Sequence, residues 1–109
     1  MEAGEIRITG NAGSEVGMGM SGGEITVEGN AGRYAGGGMS GGRILIKGNA
    51  GDGIGVNMKG GKIVVMGDVD GDIGNCMYGG EVHIEGNFKE IGLVRGGKIY
   101  HKGKLIVDK

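Results

Sequence analysis

The sequence predicts an all-β fold, a right-handed parallel β-helix (solenoid) of about five and a half coils. Three observations carry this prediction. Of the 109 residues, 30 are Gly, which is about four times ordinary usage. A repeat of 19 residues covers nearly the whole chain. Within each repeat, one segment alternates apolar and polar residues, which is the period of a β-strand. Residues 1–109 are therefore expected to form a single domain.

The glycines also exclude an ordinary helical fold. Each Gly in a helix interior costs about 1 kcal/mol relative to Ala. No Gly-free stretch reaches the typical helix length of about 11 residues. Collagen is excluded as well, because the chain has no Gly-x-y period and no Pro.

The repeat consists of four gapless units, a fifth that is two residues shorter, and an incomplete sixth. These units are Glu5–Gly23, Glu24–Gly42, Arg43–Gly61, Lys62–Gly80, Glu81–Gly97 and Lys98–Lys109. Each full unit begins with an alternating strand segment. A Gly, an Asn or Asp, a small apolar residue and Met-x-Gly-Gly follow. The Gly-rich half is expected to form bends, since Gly adopts positive φ angles without strain.

Stacking the units in register would bury four columns of apolar side chains, which no single unit could bury alone. The columns are Ile6, Ile25, Ile44, Ile63, Val82 and Ile99; Ile8, Val27, Ile46, Val65 and Ile84; Met20, Met39, Met58, Met77 and Val94; and Val16, Ala35, Ile54, Ile73 and Ile91. A column of Asn11, Asn30, Asn49, Asp68 and Asn87 is expected to hydrogen-bond along the axis as stacked amides. An outer column runs through Glu5, Glu24, Arg43, Lys62, Glu81 and Lys98. Opposite charges on neighbouring strands are expected to pair there, as Glu24 with Arg43 and Glu81 with Lys62 and Lys98.

The period separates this solenoid from other repeat folds. Helical repeats usually exceed about 30 residues, and leucine-rich repeats need a Leu spacing that is absent here. Calcium-binding β-rolls repeat about every nine residues with a Gly-Gly-x-Gly-x-Asp motif that does not continue in this chain. A parallel β-helix remains, with right-handed coils as in other parallel crossovers.

Composition narrows the environment and the partners. The net charge of −1 gives no basic excess for nucleic acid. No apolar run approaches the roughly 20 residues of a membrane span. The acidic start Met1–Glu5 does not resemble a secretory signal. The single Cys76 cannot form an internal disulfide. We therefore predict a cytoplasmic protein without nucleic-acid or membrane partners.

Several local patterns imitate functional motifs. Gly17–Gly22 and Gly36–Gly41 match Gly-x-Gly-x-x-Gly, but a strand and not a helix follows each, so bends are expected instead of dinucleotide binding. Asp68, Asp70 and Asp72 resemble the start of a calcium loop but lack its later Gly and Glu. Bend residues are the default interpretation of these three, and weak cation binding is the alternative.

The remaining reactive residues lack the partners that catalysis requires. Cys76 occupies a bend position without a linked base. His83 is expected to point outward, and His101 inward in a partly solvated last coil. The Met column is expected to be core and not a copper channel. We predict no catalytic residue, no cofactor-binding residue and no metal ligand.

The strongest local indication of function is an outward apolar patch. Leu45, Val64 and Met66 are expected close together on the outer face, and exposed apolar patches often mark interfaces. The Leu105–Val107 segment is expected to cover the last coil. Open ends of the solenoid would expose unpaired backbone groups, which favours self-association. The predicted partners are therefore other protein subunits, further copies of the chain, or both.

The repeat resembles a known family. The pattern Gly-Asn-Ala-Gly-x-x-x-Gly-x-x-Met-x-Gly-Gly-x-Ile-x-Ile/Val-x-Gly, seen in Gly29–Gly48 and its neighbours, is similar to the GXGXG repeat. That repeat occurs in the β-helical subunit of formylmethanofuran dehydrogenase and, in a looser form, in the C-terminal domain of the glutamate synthase large subunit. The Met-x-Gly-Gly segments favour the first. The resemblance covers Glu5 to about Gly103.

The resemblance implies a right-handed β-helix without catalytic or cofactor residues of its own. In both relatives this module has a structural role in an oxidoreductase whose redox centres lie elsewhere. The leading hypothesis is a non-catalytic scaffolding subunit of an oxidoreductase complex, like the β-helical subunit of formylmethanofuran dehydrogenase. The alternatives are a free-standing homo-oligomeric β-helix binding module and a structural domain of the glutamate synthase type.

Overall fold

A computed structural model describes residues 4–109, which fold into a parallel β-solenoid of about five coils. No α-helix occurs in this range. The nine strands are β1 (Glu5–Ile8), β2 (Glu24–Val27), β3 (Arg43–Ile46), β4 (Ala50–Gly51), β5 (Lys62–Val65), β6 (Val69–Asp70), β7 (Glu81–Ile84), β8 (Lys98–His101) and β9 (Lys104–Asp108). This architecture confirms the predicted fold. The N-terminal segment considered above includes residues 1–3, which lie outside the described residues.

Two sheets run along the solenoid. The larger has the order β1-β2-β3-β5-β7-β8-β9, and the smaller pairs β4 with β6. All pairings are parallel except β8 with β9. Because a parallel pair in register places equivalent repeat positions side by side, the first strand residue of every unit aligns with that of the next. Glu24, for example, lies beside Glu5 and Arg43.

The predicted inner columns form the core. The first two columns are buried from Ile25 onward, whereas Ile6 is 45% exposed in the first described coil. Every residue of the Met column is buried, which confirms that it is core. In the fourth column Ile54 pairs with Ile73 and Ile73 with Ile91, but Ile91 is exposed at the end of the stack.

A fifth core column was missed by the sequence reasoning. It occupies the small apolar position after the Asn column and consists of Ala12, Ala31, Ala50, Val69 and Phe88. The middle three residues are buried, and the first and last are half-buried. Its signal was present in the repeat, as an apolar residue at one fixed position in each unit. The column faces inward along the side formed by β4 and β6.

The glycine bends bring the backbone against the core. Gly36 has a φ of 71°, and a Cβ at this position would meet the Ile63 side chain of the next coil. Gly17 stands in the same relation to Ile44. Asn57 and Cys76, at the bend position of Gly38, also have positive φ angles, of 57° and 56°. The prediction that Cys76 is a bend residue is therefore confirmed.

The Asn column forms a ladder of hydrogen bonds along the stacking axis, as predicted. The partners differ from the expected stacked amides, because each side chain bonds to the next backbone and not to the next side chain. The backbone N–H of Asn49 donates to the Asn30 Oδ1, and the backbone N–H of Asp68 donates to the Asn49 Oδ1, both at 2.8 Å. Only one side-chain oxygen is needed, which explains why Asp68 can replace Asn.

The chain reverses direction after the last parallel strand. Lys102 and Gly103 both have positive φ angles, and β9 then pairs antiparallel with β8. Val107 packs against the core, whereas Leu105 and Ile106 remain 41% and 39% exposed. The predicted cover of the last coil is thus confirmed for Val107 only.

Candidate protein-binding face

The outer face of the large sheet presents three rows of side chains, because alternate strand residues point away from the core. The central row is Arg7, Thr26, Leu45, Val64, His83 and Tyr100. The first flanking row is the charge column Glu5, Glu24, Arg43, Lys62, Glu81 and Lys98. The second flanking row is Thr9, Glu28, Lys47, Met66, Glu85 and Lys102.

The second flanking row follows the strand ends, yet the parallel ladder continues through it. The backbone N–H of Glu28 donates to the Ile8 carbonyl at 2.9 Å, and that of Lys102 donates to the Ile84 carbonyl at the same distance. The face is therefore a regular surface five residues wide, held by backbone hydrogen bonds from one coil to the next.

The structure places the predicted patch at the centre of this face. Leu45 on β3 and Val64 on β5 are direct neighbours across the two strands. Met66 lies two residues beyond Val64 and on the same side of the sheet. Leu45 and Val64 are half-buried, and Met66 is 51% exposed.

An aromatic pair extends the patch, and the sequence reasoning did not find it. The rings of His83 and Tyr100 stack with centroids 4.3 Å apart and an interplanar angle of 7°. Their common repeat position in consecutive units was the available signal. His83 points outward as predicted, and its Nε2 lies 2.9 Å from the Glu81 Oε1. This hydrogen bond lowers the pKa of Glu81 below 4.5.

Ion pairs link the flanking charges along the rows. In the second row, the Lys47 Nζ lies 3.1 Å from the Glu28 Oε1, and the hydrogen bonds of Lys47 and Arg7 lower the pKa of Glu28. In the first row, the Arg43 Nη1 lies 3.7 Å from the Glu24 Oε1, as predicted.

The expected pairing of Glu81 with its neighbouring lysines was wrong. The Glu81 carboxylate bonds to His83, and neither Lys62 nor Lys98 is within ion-pair distance of it among residues 4–109. Both lysines still lower the pKa of Glu81 through longer-range attraction.

The acidic segment does not form a cation site. The Asp68 Oδ1 accepts the backbone N–H of Asn87 as part of the ladder, and Asp70 pairs with Lys89 at 3.6 Å. Asp72 uses its backbone N–H, which donates to the Asp52 Oδ1. The described part of the chain contains no group of three or more His, Cys, Asp or Glu that could hold a metal ion.

The other reactive side chains have structural partners. The Cys76 Sγ lies 3.9 Å from the Asn75 Oδ1. The His101 Nε2 donates to the Gly86 carbonyl at 2.7 Å, and its ring meets the edge of Phe88 at 5.0 Å. His101 is thus a half-buried residue that closes the end of the core. The Gly-x-Gly-x-x-Gly segments lead into β2 and β3, as expected for bends.

Comparison with known proteins adds no name to this geometry. A scan against protein-family models finds no match, and a search of curated proteins finds none either. The resemblance to GXGXG proteins thus stays a prediction. Within residues 4–109, no helix is long and apolar enough to cross a membrane.

Proposed function

We propose that this β-solenoid is a non-catalytic structural module that binds protein through the outer face of its large sheet. The observation that carries the proposal is the apolar centre of Leu45, Val64 and Met66, continued by the His83–Tyr100 stack and bordered by two charged rows. An apolar centre with a polar rim is the usual anatomy of a protein interface. A regular sheet face offers such a surface without any change of backbone.

The core supports a structural role. No polar or charged side chain is buried among the described residues, and the coils are filled by their own Ile, Val, Ala and Met side chains. Buried polar groups with perturbed pKa values are what catalytic sites usually contain. The lowered pKa values of Glu28 and Glu81 belong to the outer face instead, and hydrogen-bonded neighbours explain both.

The resemblance of the repeat supplies the wider context. We infer a scaffolding role in an oxidoreductase complex of the formylmethanofuran dehydrogenase type, with the redox centres in other subunits and a cytoplasmic location. A glutamate synthase-type structural domain is the second candidate, and the Met-x-Gly-Gly segments favour the first. The module itself would supply no catalytic residue, cofactor ligand or metal ligand.

Affinity purification from the source cells, followed by mass spectrometry, tests both parts of the proposal. The baits would be the wild-type chain, Val64→Lys and Tyr78→Lys. Val64 lies in the centre of the face, whereas Tyr78 is a 54% exposed residue outside the large sheet. We expect pterin-binding or iron–sulfur subunits with the wild type and with Tyr78→Lys, but not with Val64→Lys.

Two outcomes would contradict the proposal. If the wild-type bait recovers no oxidoreductase subunit, the proposed complex is wrong. If Val64→Lys recovers the same subunits as the wild type, the partner binds elsewhere. Circular dichroism of each bait controls for folding, since an outward strand position should tolerate Lys.

A further inference from the structure

The charges on the outer face follow a pattern that depends on the strand. In both flanking rows, β2 and β7 carry Glu, whereas β3 and β8 carry Arg or Lys. The central strand of this group, β5, carries Lys62 in the first row and Met66 in the second. From β2 to β8 the signs are therefore negative, positive, centre, negative, positive. The pattern reverses sign about β5.

Such a pattern is complementary to itself under one particular rotation. Consider a second copy facing the first, related by a two-fold axis that runs parallel to β5 between the two faces. The axis keeps each row opposite the same row and reverses the order of the strands. Strand β3 of one copy then faces β7 of the other, and β2 faces β8. Every one of these four strand contacts joins opposite charges.

The contacts can be named from the register. In the first flanking row, Arg43 would face Glu81 of the second copy, and Glu24 would face Lys98. Each contact occurs twice by symmetry. Lys62 would face its own equivalent, which is the one repulsive contact among β2, β3, β5, β7 and β8.

The second flanking row repeats the arrangement. Lys47 would face Glu85, and Glu28 would face Lys102. Met66 would meet Met66 on the axis. In the central row, Val64 would meet Val64, so the apolar patch lies where the two copies approach each other on the axis.

Other ways of placing two copies face to face are unfavourable. If the axis ran along the solenoid instead, the two flanking rows would face each other strand by strand. Glu would then meet Glu on β2 and β7, and positive charges would meet on β3 and β8. Moving the strand-parallel axis by half a strand, to between β3 and β5, makes β2 face β7 and β3 face β5, so like charges meet again. Like charges across an interface suppress the wrong arrangement.

We infer that the outer face binds a second copy of this chain, with the two-fold axis on β5. The inference rests on the proposed function only in taking this face as a protein-binding surface, and it names the partner. Strands of the two sheets would stay nearly aligned, which is a common packing of sheets about 10 Å apart.

The size of the face sets the expected strength. Seven strands about 4.8 Å apart and five residues about 3.3 Å apart give roughly 600 Å² per copy once side chains at the edges are included. The total of about 1,200 Å² lies at the lower end of stable interfaces. The exposed ion pairs contribute little affinity but select the register. The dimer should therefore be concentration-dependent and weaker at high salt.

Sedimentation equilibrium of the purified chain is the first test. Over about 5 to 200 µM protein at about 0.05 M salt, we expect a monomer–dimer equilibrium typical of a small interface. Raising the salt to about 0.5 M should weaken the dimer severalfold, because the Debye length falls to a few ångströms. A wild-type chain that stays monomeric over this range overturns the inference.

Charge reversal then tests the geometry. Lys47→Glu and Glu85→Lys each place like charges at two symmetric contacts, and each variant alone should dimerise about tenfold more weakly than the wild type. In an equimolar mixture, a heterodimer joins opposite charges at both contacts. The mixture should therefore regain a dimer close to wild-type strength. Tyr78→Lys, away from the face, should dimerise normally.

The outcomes separate this inference from the proposed function. Single variants that dimerise like the wild type, or a mixture that does not recover, would show that another surface or register is used. Thermal melts by circular dichroism check that each variant is folded. No other protein is present in the experiment, so failure to capture oxidoreductase subunits leaves its result unchanged, and a monomeric wild type leaves the oxidoreductase proposal standing.

Discussion

Replacing Gly36 with Ala adds a single methyl group at a bend where the next coil leaves no space for it. Gly36 has a φ of 71°, and the new Cβ would meet the Cδ1 atom of Ile63, with the Ile63 Cγ1 at 3.2 Å. Ile63 is fully buried, so its side chain cannot turn toward solvent. The substitution thus combines a backbone cost with a packing cost.

Gly38 provides a matched control two residues away. Its φ is 66°, and a Cβ there would have nothing within 4 Å. Gly38→Ala should therefore cost only the backbone term, about 1–2 kcal/mol for an L-residue in the left-handed region. Gly36→Ala should cost the same plus about 1–3 kcal/mol for overpacking the core. The difference between the two variants isolates the contact with Ile63.

Urea unfolding followed by circular dichroism measures both free energies of unfolding. We expect Gly36→Ala to be the less stable variant by about 1–3 kcal/mol, or roughly 4–8 °C in melting temperature for each kcal/mol in a domain of this size. Ile63→Val removes the Cδ1 atom that the new methyl group would meet. The double variant should therefore lose less stability than the sum of the single changes.

Equal losses for Gly36→Ala and Gly38→Ala would refute this reasoning. That result would mean that the coils can separate locally to admit the methyl group. A double variant whose losses simply add would also contradict it, because the cost would then not arise from Ile63.

Three further predictions concern the ladder, the core and the outer face. Asn49→Ala should cost about 0.5–1.5 kcal/mol by removing the acceptor for the Asp68 N–H, whereas Asn49→Asp should unfold at nearly the wild-type urea concentration; equal losses would contradict a ladder that needs one oxygen only. Ile46→Asp, at a fully buried position, should abolish the cooperative melt, since it places an unpartnered charge in the core; an unchanged thermal midpoint would refute the register. The pKa of Glu81 lies below 4.5 because His83 bonds to it, so the stability from this contact is present above pH 4.5 and is lost as the pH falls through the lowered pKa. In His83→Ala, an NMR titration should show the Glu81 pKa moving up toward its ordinary value, and an unmoved midpoint would contradict the assignment of the cause.

The sequence alone determined the repeat, the strand positions and most of the core. In a parallel stack with a constant period, each residue lies beside its equivalent in the next coil. Aligning the units therefore predicted that Ile44 would neighbour Ile63 and that Leu45 would neighbour Val64. It also placed the outward patch, because alternation along a strand decides which side chains leave the core.

The tertiary structure decided what the period does not repeat. The reversal into β9, the exposure of Ile6 and Ile91, and the contact of His101 with Phe88 all arise at the ends, where a coil lacks a neighbour on one side. Side-chain conformation decided that the Asn column would bond to backbone and that Glu81 would choose His83 over its neighbouring lysines. A repeat fixes where each Cα lies relative to the next coil, but hydrogen-bond partners depend on side-chain torsions and on distances that only the folded coils set.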